Sequence, residues 1–244
     1  MMRGMRLDQA VAARFPELSR RQARALIAEH RVLVNERPVS VASREVREGD
    51  RVAIVAAVPE IEILRITEGF VAVNKPAGVP TQPTRDRGRT SLEELVALTL
   101  KRQRMPAQIF LVHRLDTGTS GAVVFARTRD AAASLSGLFA SRQIRKIYLA
   151  RVGGTVDHEI TVESPVAGKE ALTIVRPRGG GLVEAEIRTG RTHQIRIHLA
   201  SIGHPVAGDR RYGGPKAARL MLHAWKIEGD VIGTIEAPLP SDFM

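Results

Sequence analysis

Two runs of strand-forming residues, Ala-Leu-Thr-Ile-Val at 171–175 and Leu-Val-Glu-Ala-Glu-Ile at 182–187, flank the segment Arg178-Gly179-Gly180-Gly181. Glycines at a strand reversal supply backbone angles that other residues avoid, so this pattern predicts an antiparallel hairpin with a glycine tip. Further strand patterns stand at 70–73, 122–125 and 147–152. Helix patterns stand between them, one from a Thr90 or Ser91 cap through Leu100 and one from about Asp130 to Ala140. Strands outnumber helices and are joined by hairpins. The expected class is therefore α+β, a mainly antiparallel mixed sheet with flanking helices. With aromatics at only 4%, the core must rest on Val, Leu, Ile and Ala.

The first 58 of the 244 residues read as a separate unit. Leu7, Ala10, Val11 and Phe15 are spaced as a helix face over 5–15, and Pro16 stops it. Ser19 caps a second helix expected over 20–30, with Ala23, Leu26 and Ile27 on one face and Arg20, Arg21 and Arg24 on the other. Short strands at 32–34 and 51–55 follow, around turns at Asn35-Glu36-Arg37 and Glu48-Gly49-Asp50. Residues 56–60 form a linker. This unit holds eleven Arg, no Lys and seven acids. Arg is the side chain best shaped to fork onto phosphate, although a solvated helix face would look the same.

The whole chain carries a net charge of +11, which favours a polyanionic partner: nucleic acid or an anionic membrane surface. No apolar run approaches the roughly 20 residues of a spanning helix, and no signal-peptide pattern opens the chain. The absence of Cys excludes disulfides, thiolate metal sites and a Cys nucleophile. A cytoplasmic, nucleic-acid-binding protein is expected.

The most informative stretch is His113-Arg114-Leu115-Asp116-Thr117-Gly118-Thr119-Ser120-Gly121. It sets a carboxylate in a Gly/Thr/Ser loop between apolar strands, where amides and hydroxyls can hold it charged. A turn Asp bonded only to its own backbone is the plainer reading. Asp-Thr-Gly is also how aspartic proteases present their acid, but they need a second carboxylate sharing the proton. This chain has no second copy of the motif.

The nine residues closely resemble the His-Arg-Leu-Asp-x-x-Thr-Ser-Gly signature of the RluA-type pseudouridine synthases. Asn74-Lys75-Pro76-Ala77-Gly78 is similar to that family's first motif, and Lys146-Ile147-Tyr148 to its Lys-x-Tyr motif. Residues 190–200 (Gly-Arg-Thr-His-Gln-Ile-Arg-Ile-His-Leu-Ala), with Gly203-His204-Pro205 and Gly208-Asp209, resemble its long third block. Leu222-His223-Ala224 and 237–243 resemble its end. The chain departs from the pattern at Gln82-Pro83, where His-Pro is usual, and at 228–233. The N-terminal unit resembles the S-four-type RNA-binding domain named for a small-subunit ribosomal protein.

These resemblances imply an S-four-type domain over 1–58 and a catalytic domain over 66–244. They imply an isomerase that converts uridine to pseudouridine in structured RNA, either large-subunit ribosomal RNA or transfer RNA. Asp116 would begin the reaction, attacking the ribose or removing a sugar proton. Tyr148 would stack on the uracil, Arg196 would pair with Asp116, and Arg114 would fill the gap left by the flipped base. RNA contacts are implied for His113, Arg191, Thr192 and His193, and in the N-terminal unit for Arg20, Arg21 and Arg24. A non-catalytic RNA-binding protein of the same architecture is the alternative. No membrane partner is expected, and a monomer is. No nucleotide-cofactor loop is present. His193, His198, His204 and His223 lack metal-site spacing and acid partners, so neither cofactor nor metal is expected.

Overall fold

The computed structural model describes residues 4–55, 60–84 and 90–243, so the expected linker lies, apart from Glu60, outside the described residues. Contacts divide the chain into two units, 1–60 with 79–105 and 61–78 with 106–244.

In the first unit, β1 (Met5–Arg6) leads into α1 (Leu7–Arg14) and α2 (Arg20–Ala28). Strands β2 (Val32–Val34), β3 (Arg37–Val39), β4 (Glu45–Val46) and β5 (Val52–Ile54) follow. Helix α1 starts two residues later than its apolar spacing predicts. Met5 and Arg6 are taken by antiparallel pairing with Val46 and Glu45, a long-range partner that periodicity does not reveal. Helix α2 opens on a full capping box. The Ser19 hydroxyl accepts from the Gln22 amide, and the Gln22 side chain accepts from the Ser19 amide. It ends two residues short of the expected 30, where His30 turns left-handed at φ +59°. Strands β3, β2 and β5 form one small antiparallel sheet. The β2–β3 turn puts both Asn35 (φ +52°) and Glu36 (φ +66°) in the left-handed region, as a tight hairpin with right-handed strand twist requires. Leu7, Val11, Ala23, Ile27, Val32 and Val39 form the core of this unit. Helix α3 (Leu92–Arg102) belongs to the same unit. Ser91 rather than Thr90 caps it, in a second capping box with Glu94.

The second unit is one mixed sheet. Its strands are β6 (Ile63–Ile66), β7 (Phe70–Lys75), β8 (Phe110–Leu111), β9 (Ser120–Ala126) and β10 (Arg145–Arg151). After them come β11 (Ile160–Val162), β12 (Thr173–Pro177), β13 (Leu182–Ile187), β14 (Leu222–Gly229) and β15 (Gly233–Glu236). The main path runs β11-β12-β13-β10-β14-β9-β7-β6, with β15 beside β14 and β8 beside β9. All described pairs are antiparallel except β9 with β14, so the sheet is mixed but mainly antiparallel, as expected. The β12–β13 hairpin forms where its glycines predicted, and Gly179, Gly180 and Gly181 all take positive φ. Helix α4 (Arg129–Ala140), capped by the Thr128 hydroxyl, packs on β9 through Leu135. There Phe70, Val124, Ile144, Ile227 and Ile235 make an aliphatic core. Helix α5 (Gln194–Ser201) follows β13 and carries the third motif.

Candidate active site

Asp116 lies in the loop from β8 to β9. The Thr119 amide donates to the Asp116 carbonyl at 3.0 Å, closing a tight turn. The end of β7 braces this turn. The Gly78 amide (2.7 Å) and the Lys75 ammonium (3.2 Å) both donate to the Thr117 carbonyl. Lys75 is fully buried and also donates to the Pro76 carbonyl. Burial pushes its pKa down to about 7, against the opposing pull of Asp116. Just past the loop, Gly121 sits at φ +114°, and a Cβ there would lie 2.2 Å from the Ala224 carbonyl oxygen. Only glycine lets β9 meet β14 at this point.

Tyr148 occupies the middle of β10. Its cross-strand neighbours are the small side chains Ala185 on β13 and Ala224 on β14, and the residue, only 8% exposed, still lines the same cleft as Asp116. Ile187 and Leu222 flank it on the same sheet face, as their pairing with Lys146 and Ala150 requires. Burial, then the nearby Asp116 charge, raises the phenol well above its usual range, so the ring enters the site neutral.

Arg196 is the third residue of α5. Its Nε (2.6 Å) and Nη2 (2.8 Å) fork onto the two carboxylate oxygens of Asp209, and its Nη1 reaches Asp116 Oδ2 at 3.4 Å. Asp209 is fully buried and also accepts the Arg211 and Tyr212 amides. Burial alone would raise its pKa; the Arg196 fork and the two amides outweigh that and hold it low. The same fork raises the pKa of Arg196.

The approach to α5 is tied down by Gln194, whose side chain accepts from Thr189 Oγ1 and the Arg191 amide and donates to the Leu172 carbonyl. Buried Lys146, its pKa pushed down to about 8 by burial, donates to the Thr189 carbonyl. His193 stands at the helix start in a left-handed conformation, φ +58°. Its Nε2 is 3.6 Å from Asp116 Oδ2.

Arg114, Asp116, Tyr148, Arg191, His193 and Arg196 all line one cleft in this unit. Arg114 is exposed at this cleft. Two expected residues stand elsewhere. Thr192 is exposed and does not line the cleft. His113 turns to the core, where its Nε2 accepts the Val124 amide and its ring stacks on Phe139 at 4.4 Å. Burial, with Lys146 adding to it, lowers His113 to about 3. The three remaining histidines weighed as metal ligands make structural bonds: His198 to Thr173 and Ser164, His204 to the Gly153 carbonyl, and His223 to Ser120.

In the first unit, Arg20 (3.2 Å) and Arg24 (2.8 Å) bind Asp8 together with Arg6 (3.0 Å), while Arg21 points outward. Sequence reasoning singled out no role for Asp209, Lys75, Gln194 or Tyr212. Asp209 had a signal, its place in the Gly-Asp pair after the third block; the others had none beyond their motifs.

Residues 69–201 match the family model described as RNA pseudouridylate synthase, and residues 5–52 match that of the S4 domain. The chain is 33% identical to the uncharacterized RNA pseudouridine synthase YhcT of Bacillus subtilis, covering 81% of this chain and 75% of that protein. It is 31% identical to the ribosomal large subunit pseudouridine synthase D of Nitrosomonas europaea, covering 98% and 82%. Among solved structures it is similar to human RNA pseudouridylate synthase domain containing 1, with TM-score 0.58 and 26% identity over 76% of this chain and 85% of that one. A two-unit α+β protein with one acid in a basic cleft is thereby placed in its class, and the chain belongs to the RNA pseudouridylate synthase family. It is an RNA pseudouridine synthase that carries an S4 domain at its N-terminal end.

Proposed function

We propose that this enzyme acts on structured large-subunit ribosomal RNA, with transfer RNA as the alternative, and that Asp116 starts the reaction. One observation carries the reading: Asp116 Oδ2 lies 3.4 Å from Arg196 Nη1 in the same cleft that Tyr148 lines. The isomerisation breaks the N1–C1′ bond and forms a C5–C1′ bond, with a proton lost at C5 and one gained at N1. It is redox-neutral and needs no outside energy. The Asp116 carboxylate opens it at the sugar, by attack or by proton removal. Arg196, fixed by Asp209, pairs with that carboxylate and keeps it charged, and Tyr148 stacks on the uracil where its ring lines the cleft. Arg114, exposed at the cleft, takes the space the uridine leaves on flipping.

Arg191, Thr192 and His193 contribute the RNA-facing edge beside α5. His113 supports Arg114 from behind rather than meeting RNA, because its ring is engaged by Val124 and Phe139. Residues 1–58 dock phosphates through Arg21 and through the exposed halves of the Arg20 and Arg24 guanidiniums that also hold Asp8, and the residues from 66 onward carry out catalysis. The enzyme works as a cytoplasmic monomer. The ribosomal assignment is supported by the likeness to the large-subunit synthase of Nitrosomonas europaea over 98% of this chain.

Mapping pseudouridines in total RNA from cells with and without the protein tests this. Sites lost from large-subunit RNA, restored by the wild type and not by Asp116→Asn, are the expected result. Losses confined to transfer RNA move the substrate to the alternative, and no lost site overturns the proposal.

A further inference from the structure

Besides Arg196, a second chain of contacts ends on Asp116. The Tyr212 hydroxyl lies 3.0 Å from His193 Nδ1, and His193 Nε2 lies 3.6 Å from Asp116 Oδ2, the same oxygen that Arg196 approaches. We propose that Tyr212 and His193 form a second positioning arm for Asp116, parallel to the Asp209–Arg196 arm, so that both arms engage one carboxylate oxygen and leave the other to the uridine. This rests on the role given to Asp116 above.

The two arms share one scaffold. His193 and Arg196 are three residues apart at the start of α5, a spacing that puts side chains on the same side of a helix. Both are held from behind by one short loop, Asp209 to Tyr212. Asp209 Oδ1 accepts the Tyr212 amide at 3.2 Å while it binds Arg196, so the two holds are mechanically linked. Gly208, φ +78°, lets this loop in: a Cβ there would lie 1.8 Å from the Arg219 carbonyl oxygen. The Tyr212 ring lies within 5.1 Å of the Arg196 guanidinium and 5.6 Å of that of Arg211. It meets the His193 ring edge-on at 5.7 Å and 81°. Such a ring cannot swing away without losing two cation–π contacts. The left-handed backbone of His193 is uncommon for a residue with a side chain, and it aims the imidazole into the cleft.

The protonation pattern agrees with this geometry. The charged and titratable groups around Asp116 and His193 are Arg196, Asp209, Arg211, Tyr212, Tyr148 and Lys75, with Arg114 and Arg191 lining the same cleft. Burial, only partly opposed by Asp116, keeps the imidazole neutral near pH 7. A neutral ring that accepts from the Tyr212 hydroxyl on Nδ1 carries its proton on Nε2, facing the carboxylate. The 3.6 Å gap exceeds a hydrogen bond, and a closing movement of about half an ångström on RNA binding completes it, as catalytic contacts commonly tighten on binding.

The test is a cycle of Tyr212→Phe and His193→Asn on the full chain with a ribosomal RNA fragment carrying the mapped site. Phe keeps the ring between its guanidiniums, and Asn tolerates the left-handed backbone. Each variant is expected to lower the rate at saturating RNA about tenfold, the scale of one charge-assisted hydrogen bond, with KM unchanged in Tyr212→Phe. The acid limb of the kcat profile should move to higher pH, because the carboxylate loses a donor to its charged form. The double variant should lose no more than either single one. A wild-type rate with an unmoved acid limb in Tyr212→Phe, losses that multiply, or a change in KM alone would overturn the arm. Should Tyr212→Phe melt at a lower temperature, His193→Asn alone decides by the same pH shift. Full turnover in Asp116→Asn would instead remove the reading of Asp116 itself. An inactive Asp116→Asn beside a wild-type Tyr212→Phe removes only the arm.

Discussion

Two aspartates, one in each unit, are bound by arginine in opposite ways. Asp8 in α1 is fully buried, while its three partners, Arg6, Arg20 and Arg24, are about half exposed. Burial pushes its pKa up, but hydrogen bonds from Arg6, Arg24 and Arg20 outweigh that and hold it far below the usual range. Asp116 has the reverse setting. It remains 22% exposed, and the arginine it meets is the buried partner, already committed to Asp209. A carboxylate saturated by cations is an anchor for a helix. One that meets a single arginine already committed elsewhere keeps an oxygen uncovered. The number of arginines around an acid is therefore a poor guide to function, and what matters is which partner is saturated.

This contrast can be broken at four points. Asp116→Asn should lower single-turnover isomerisation by about a thousandfold or more, with melting temperature and RNA affinity nearly unchanged. A variant with measurable wild-type turnover would remove the distinction between the two acids. Arg196→Lys keeps the charge but cannot fork onto Asp209 and reach Asp116 together, so kcat should fall about a hundredfold. Equal kcat in that variant would mean that the shared guanidinium is not required.

Asp8→Asn should cost about 2 kcal/mol of stability, below the roughly 3–5 kcal/mol of a sealed pair because its arginines stand in water, while turnover per folded molecule stays the same. The pH dependence has a definite sign. The folded pKa of Asp8 is depressed from 3.8, so its contribution is complete above that value and is lost as pH falls below it. Denaturation midpoints of the wild type should therefore drop more steeply below about pH 4 than those of Asp8→Asn, and parallel curves would contradict the coupling. The smallest effect belongs to Arg21, which is exposed and is not among the three arginines paired with Asp8. Arg21→Gln should reduce the slope of log affinity against log salt by about 1, and an unchanged slope would exclude it from phosphate docking.

Much of this was legible in the sequence because it is local. Apolar spacing, caps and glycine tips set α2, α3, the β12–β13 hairpin and the loop that holds Asp116, and motif order brought Asp116, Tyr148 and Arg196 to one cleft. What could not be read depends on residues that meet only after folding. Met5 and Arg6 leave the α1 pattern because Glu45 and Val46 pair with them. Arg20 and Arg24 look like free cations on a helix face until Asp8 is seen beneath them. The group of residues 79–105 with the first unit, across an intervening pair of strands, leaves no mark in composition. Asp209 and Tyr212 sit in an irregular loop, where no periodicity says which side chain turns inward.

Gly121, Ala224 and Tyr148 are neighbouring rungs across β9, β14 and β10. The gap between the acid's loop and the aromatic ring is thus spanned by main chain, with a carbonyl standing where a methyl group would go. Trimming or enlarging nearby side chains cannot widen this gauge. Moving the loop away from the ring would take a new strand register, whereas altering Ile187 or Leu222 beside the ring leaves that spacing intact. The side chains beside the ring and the spacing of ring from loop are separate dials on this scaffold.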